Sequence, residues 1–117
     1  SRENGNTIDR GVLDSPQLID RAFYNKEGGW LLVSENKVLM LSQLHGEVST
    51  AVFQGPVNHA TWDEENSAWM ITGWRQDAIL GKEMKFSSRS DIGVHVGNYR
   101  GEWYVLDNTG TWSLHLQ

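Results

Sequence analysis

VNHATWDEENSAWMITGWRQDAILGKEM, residues 57–84, decides how the chain is read, because it holds three short apolar runs parted by polar turns. Val57 to Trp62 alternates, with Val57, Ala60 and Trp62 apolar among polar neighbours, the pattern of a half-buried strand. The acidic run Asp63-Glu64-Glu65-Asn66 neither packs nor favours strand and reads as a loop. Ala68 to Thr72 is almost continuously apolar, through Trp69, Met70 and Ile71, as expected of a strand covered on both faces. Gly73 ends that run. The segment Trp74-Arg75-Gln76-Asp77 reads as a turn, and Ala78 to Leu80 as a further strand closed by Gly81 and Lys82.

The same spacing recurs on either side. Trp30, Trp69 and Trp103 each follow a polar loop and open an apolar run, WLLVS, WMITG and WYVLD. An apolar residue sits nine positions after each, at Leu39, Ala78 and Trp112, and another six or seven before, at Tyr24, Trp62 and Val96. A fixed internal period outweighs local propensity in setting a fold. The expectation is therefore an all-β domain over residues 8–117, with three antiparallel units of three or four strands at about 18–55, 56–90 and 91–117. The alternative is a small closed antiparallel β-barrel. Residues 1–7 are polar and read as a flexible end.

Composition narrows the class. The 117 residues suffice for one domain with a real core, and the six Trp supply large buried areas. A net charge of −5 argues against a nucleic-acid or anionic-membrane partner, since both require a positive footprint. There is no cysteine, hence no disulfide, thiolate or Cys-based zinc chemistry. The apolar runs are far shorter than a membrane helix needs, so a soluble chain is expected. The start at Ser1, without Met or an apolar leader, reads as processing, trimming or excision from something longer.

Around the central stretch, Ile8 to Leu13 reads as a short strand able to pair with the last unit, and Ser15 to Phe23 reads as either a helix capped at Ser15 or the first strand of unit one. Trp30 to Ser34 and Lys37 to Ser42 form a hairpin across Glu35-Asn36, and Glu47 to Gln54 a fourth strand after the His45-Gly46 turn. Glu83 to Ser87 closes unit two, Ser87 to Asp91 reads as a linker, and Ile92 to Val96, Trp103 to Leu106 and Thr111 to Leu116 make unit three.

Unit two, with its alternating strand VNHATW, its apolar strand WMITG and a turn carrying Asp77, resembles a blade of a WD-repeat-type β-propeller, and Asp107 to Trp112 is similar to a degenerate Asp-box turn. The resemblance covers about residues 18–117. The chain departs from it: no Gly-His pair precedes the first strands, and the only Trp-Asp pair, Trp62-Asp63, ends a first strand. Closed propellers have four to eight blades. The resemblance therefore implies half of a six-bladed ring, completed by a homodimer.

No catalytic motif or metal spacing is present in the four His at 45, 59, 95 and 115, and no cofactor is implied. Trp30, Trp69 and Trp103 are expected in the core, as are Trp62 and Trp112. Trp74 differs: beside Arg75 and Gln76 in a turn, it suits stacking on a sugar or anchoring a peptide. The expected function is a non-catalytic binding or scaffolding module for a protein, peptide or glycan, with Trp74, Arg75, Gln76, Asp63 and Glu64 as ligand contacts. The alternatives are an inhibitor- or immunity-type barrel binding a basic protein, and a glycan-acting enzyme using carboxylates such as Asp63, Glu64 or Asp107.

Overall fold

The structure, a computed structural model, describes residues 19–41 and 48–115. The readings of 1–7, Ile8–Leu13, Ser15–Pro16 and the His45-Gly46 turn lie outside the described residues. Among the described residues nine antiparallel strands form two sheets. The first contains β1 (Arg21–Asn25), β2 (Gly29–Ser34), β3 (Lys37–Leu41) and β4 (Val48–Val52), paired in sequence order. Its turns explain themselves. The Asn25 carboxamide oxygen accepts hydrogen bonds from the amides of Glu27 and Gly28, at 2.8 and 3.0 Å, and the β2–β3 hairpin turns at Glu35-Asn36 as expected, with Glu35 left-handed at φ 53°.

The second sheet contains β5 (Val57–Asp63), β6 (Ala68–Leu80), β7 (Met84–Tyr99), β8 (Glu102–Asp107) and β9 (Trp112–Leu114), again in sequence order. Here the expectation needs correction. Trp74 to Asp77 is not a turn and Ser87 to Asp91 is not a linker: β6 and β7 each run through the segment as one strand of 13 and 16 residues. The polar residues that looked like breaks are β-bulges. Register shifts fall between Val57 and His59 on β5, between Trp74 and Gln76 on β6, and between Gly93 and His95 on β7. A bulge bends its strand and strengthens local twist. Each long strand therefore serves two partners: β6 pairs with β5 through Ala68–Gly73 and with β7 through Trp74–Leu80, and β7 turns to β8 beyond Ile92. Units two and three thus share one sheet, whereas unit one has its own.

Both sheets are open rather than closed into a barrel, so the barrel alternative is not the fold. They bury their apolar faces against each other. One cluster joins Leu31, Val33, Val38 and Met40 of the first sheet to Trp62, Trp69, Ile71 and Leu80 of the second, and Met70, Val96, Trp103 and Val105 fill a second cluster. Gly28 lies directly on the Trp62 ring, where a Cβ would come within 2.4 Å. Trp62, Trp69 and Trp103 are buried as expected, but Trp30 and Trp112 are exposed. On β2 it is Leu31, Leu32 and Val33 that fill the interior, leaving Trp30 against Tyr24 on β1, centroids 4.9 Å apart. Among the described residues no helix is long and apolar enough to cross a membrane.

Candidate functional site

The structure separates the residues expected to form one contact surface. Trp74, Arg75 and Gln76 lie at the bulge of β6, against the connection between the sheets. The Trp74 ring covers Gly55, its amide donates to the Pro56 carbonyl at 3.0 Å, and the Gln76 side chain accepts from the Gln54 amide at 2.8 Å. Arg75, left-handed at φ 56°, stacks its guanidinium over Trp74 at 5.4 Å. Asp63 sits at the far end of the β5–β6 hairpin and is buried. One of its oxygens accepts from the Glu65 amide at 3.0 Å, and the other from Asn66 Nδ2 at 2.7 Å and Trp103 Nε1 at 2.9 Å. Glu64 is exposed on the turn that follows. These hydrogen bonds occupy Trp74, Gln76 and Asp63 in joining parts of the fold.

The bulge creates a polar cluster that the sequence pattern conceals. Thr72 and Asp77 are five apart, and regular alternation puts such residues on opposite faces. The left-handed backbone of Arg75, opposite the extra residues of β7, breaks that alternation, and both lie inside, each almost wholly buried. Thr72 Oγ1 donates to Asp77 Oδ1 at 2.6 Å, Arg89 Nη1 to Oδ2 at 2.8 Å, and His115 Nδ1 lies 3.2 Å from Oδ2. Arg89 Nε also donates to Asp91 at 2.7 Å. Burial raises the Asp77 carboxyl, but the hydrogen bonds from His115, Thr72 and Arg89 and the Arg89 charge outweigh it, holding the group below the usual carboxylate range. His115 Nε2 is enclosed without a hydrogen-bond partner among the described residues. A carboxylate–imidazole pair needs a nucleophile or substrate at that nitrogen to do proton transfer. The pair ties β6, β7 and the segment after β9 together.

The exposed face of β7, β8 and β9 has a different character. Alternation sends Trp103 and Val105 into the core and Glu102, Tyr104 and Leu106 to the other side. The register sets Gly97 opposite Tyr104 and Tyr104 opposite Leu114, with Leu106 opposite Trp112. Because Gly97 has no side chain, a cleft of about 290 Å³ opens above it, walled by Tyr99, Tyr104 and Trp112 with Asn98 at the rim. Tyr99 is 61% exposed and Trp112 51%. The Tyr104 hydroxyl donates to Glu102 at 3.3 Å, and Arg100 lies 5.2 Å over the Tyr99 ring. The turn before β9 is rigid: Asp107 Oδ1 accepts from the Thr109 hydroxyl at 2.6 Å and from the amides of Thr109 and Thr111 at 2.9 and 3.0 Å. Those bonds hold the Asp107 carboxyl below its ordinary range.

Two further features belong to this face. The Thr111 carbonyl accepts from Asp107 and the His115 amide donates to Trp103, so residues 111, 113 and 115 take the hydrogen-bonded positions of the β8–β9 ladder. In an antiparallel pair the intervening residues turn their amide and carbonyl away. Those of Trp112 and Leu114 therefore face the open side of β9, an edge strand among the described residues. Behind Trp112 runs a line of rings: it meets His95 edge-on at 6.1 Å, His95 stacks on His59 at 3.8 Å, and His59 meets Phe23 edge-on at 5.4 Å. The Val96 amide donates to His59 Nδ1 at 3.1 Å, so that ring carries its proton on Nε2. Burial, then the neighbouring His95 and Arg21, lower its pKa to about 4.

Sequence reasoning missed the cleft because it assigned Trp112 to the core. The alternation of 102–106 signals that Tyr104 faces away from Trp103, but only strand register shows that Gly97 and Trp112 flank it. No protein-family model, curated protein or solved structure matches this chain. Among the described residues no group of three or more His, Asp or Glu side chains is gathered as metal ligands would be.

Proposed function

We propose that this protein is a non-catalytic binding module that receives an extended peptide along β9, with peptide side chains seated in the Tyr99–Tyr104–Trp112 cleft. The observation that carries this reading is the juxtaposition of an aromatic cleft with a strand edge that is unpaired among the described residues. In strand addition, main-chain hydrogen bonds supply affinity and pockets for alternate side chains supply selectivity. The outward groups of Trp112 and Leu114 suit the first role and the cleft the second. Tyr and Trp offer large contact area at low conformational cost, and strands hold them more firmly than loops would.

The glycan-acting reading has less support, because hydrogen bonds within turns and from the Trp103 indole occupy Asp63 and Oδ1 of Asp107, leaving Glu64 as the exposed carboxylate of the three. The four-stranded meander β1–β4 supports the likeness to a propeller blade. The ring completed by two chains is an assembly proposal that solution mass tests, a dimer at twice 13.3 kDa being its expected outcome.

Selection from a random peptide phage library, followed by titration of the selected peptide, tests the peptide reading. Trp112→Ala weakens binding at least tenfold. Leu114→Pro does so too, since it removes an outward amide that the β8–β9 ladder does not use. A selected peptide that binds both variants as tightly as the parent overturns the reading, and so does Trp112-dependent binding on a glycan array with no peptide selected.

A further inference from the structure

The cleft above Gly97 takes one ring from each of three strands, Tyr99 from β7, Tyr104 from β8 and Trp112 from β9. No ring contact joins these three to one another among the described residues. Trp112 meets His95 edge-on and the Arg100 guanidinium lies over Tyr99, so the cleft is the space between rings that stand apart. Among the described residues its lining holds no aliphatic side chain and no carboxylate. The Asn98 oxygen at its rim already accepts from the Gly101 amide at 3.2 Å. Arg100 and Glu102 flank it with opposite charges, so formal charge selects nothing here. The ring faces do. Each is the negative side of a quadrupole, and Tyr99 already holds one cation.

We infer, resting on the peptide reading above, that the cleft is a cage for a quaternary ammonium group, the head of a trimethylated lysine in the bound strand. Aromatic cages attract such heads through the ring faces. An unmodified ammonium or a guanidinium brings three or five N–H donors and a firm water shell. Walls without a carboxylate replace little of that water, and burying unpaired donors is costly. Trimethylation removes every donor and keeps the charge. A neutral group of the same shape gains the burial and forgoes the attraction. The cleft lies inward of the β9 edge, so its occupant must come on a long stem, as the lysine head does.

Tetramethylammonium chloride, tert-butanol and ammonium chloride, titrated at constant ionic strength into the ¹⁵N-labelled protein, test the cage. Tetramethylammonium shifts the Trp112 indole resonance and the Gly97 amide, saturating with a dissociation constant on the order of 1–10 mM, as a ligand of so few atoms allows. The neutral alcohol and plain ammonium bind about fivefold more weakly or less. Tyr99→Leu, which keeps apolar bulk at an exposed position, weakens tetramethylammonium about fivefold and leaves tert-butanol within about twofold. Equal binding of tetramethylammonium and tert-butanol overturns the inference, as does an unchanged affinity in Tyr99→Leu or the absence of any saturable shift at about 50 mM. The phage-selected peptide separates the cage from the peptide reading. It is resynthesised with trimethyl-lysine, or with its neutral carbon isostere, at the position whose contribution depends on Trp112, and the charged form binds about fivefold tighter. Equal affinities overturn the cage and leave the peptide reading standing, whereas tetramethylammonium binding by a chain that selects no peptide supports the cage and overturns the peptide reading.

Discussion

The two sheets use the same vocabulary of short antiparallel strands and differ in regularity. In β1–β4 every pairing runs without a register shift. In β5–β9 three pairings are broken by bulges, and the buried Asp77 cluster, the stacked histidines and the cleft belong to that sheet. A regular sheet buries alternate residues and needs only apolar ones. A bulged sheet turns polar residues inward, and burying them costs free energy unless each finds a partner. The irregular half is therefore the half that carries specific hydrogen-bonded chemistry.

The largest effect expected from breaking this contrast comes from the Asp77 cluster. Asp77→Ala leaves Arg89 and His115 buried without their shared acceptor and should cost about 3–5 kcal/mol, read as a fall in the denaturation midpoint. A loss below about 1 kcal/mol, the typical net worth of a hydrogen bond, would show that the cluster does not hold the bend. Next is Gly93→Ala: a Cβ there would lie 1.8 Å from Thr72 Oγ1, so the hydroxyl must leave Asp77. A loss of about 1–3 kcal/mol is expected, and combined with Asp77→Ala it should be markedly less than additive. By contrast, Gly97→Ala faces only the Trp112 ring at 4.0 Å and should cost little in stability while narrowing the cleft.

Acid sharpens the comparison further. His59 titrates near 4 in the fold, against 6.5 for the ordinary side chain, so the unfolded chain takes up its proton first. Stability then falls as pH drops from about 6.5 towards 4, by less than the full shift implies because the ring is half-exposed. His59→Asn, whose carboxamide oxygen can still accept from Val96, should flatten that window. The depressed Asp77 carboxyl contributes a separate loss as pH falls below its ordinary value of 3.8. Urea midpoints between pH 7 and 3 resolve the two, and an unchanged slope in His59→Asn would assign the upper window elsewhere.

The smallest effect sets two left-handed residues side by side. Glu35 in the regular hairpin and Arg75 in the bulge have φ of 53° and 56°. Glu35→Gly should change stability by no more than about 0.5–1 kcal/mol, strain relief opposing chain entropy. Arg75→Gly should be the worse of the pair, because it also removes the guanidinium stacked on Trp74.

Much of this molecule was legible in its sequence. The hairpin at Glu35-Asn36, the acidic turn after Trp62, the all-β class and the burial of Trp69 and Trp103 follow from alternation and turn chemistry, which act within a few residues. Trp74-Arg75-Gln76-Asp77 misled for a definite reason. A polar interruption in an apolar run has the same local composition whether the chain reverses there or bulges and continues, and the choice depends on whether β7 lies alongside to pair. The same holds for the Trp residues: of the five expected in the core, Trp30 and Trp112 are left outside, Trp112 because Val105 and Trp103 already fill the interior beneath β8. Residue order determined the strands and most of the turns. The tertiary structure alone decided which polar residues meet at Asp77 and which rings line the cleft, because Arg89 and His115 reach Asp77 from 12 and 38 residues away and the cleft rings stand on three different strands, all aligned by register and bulges.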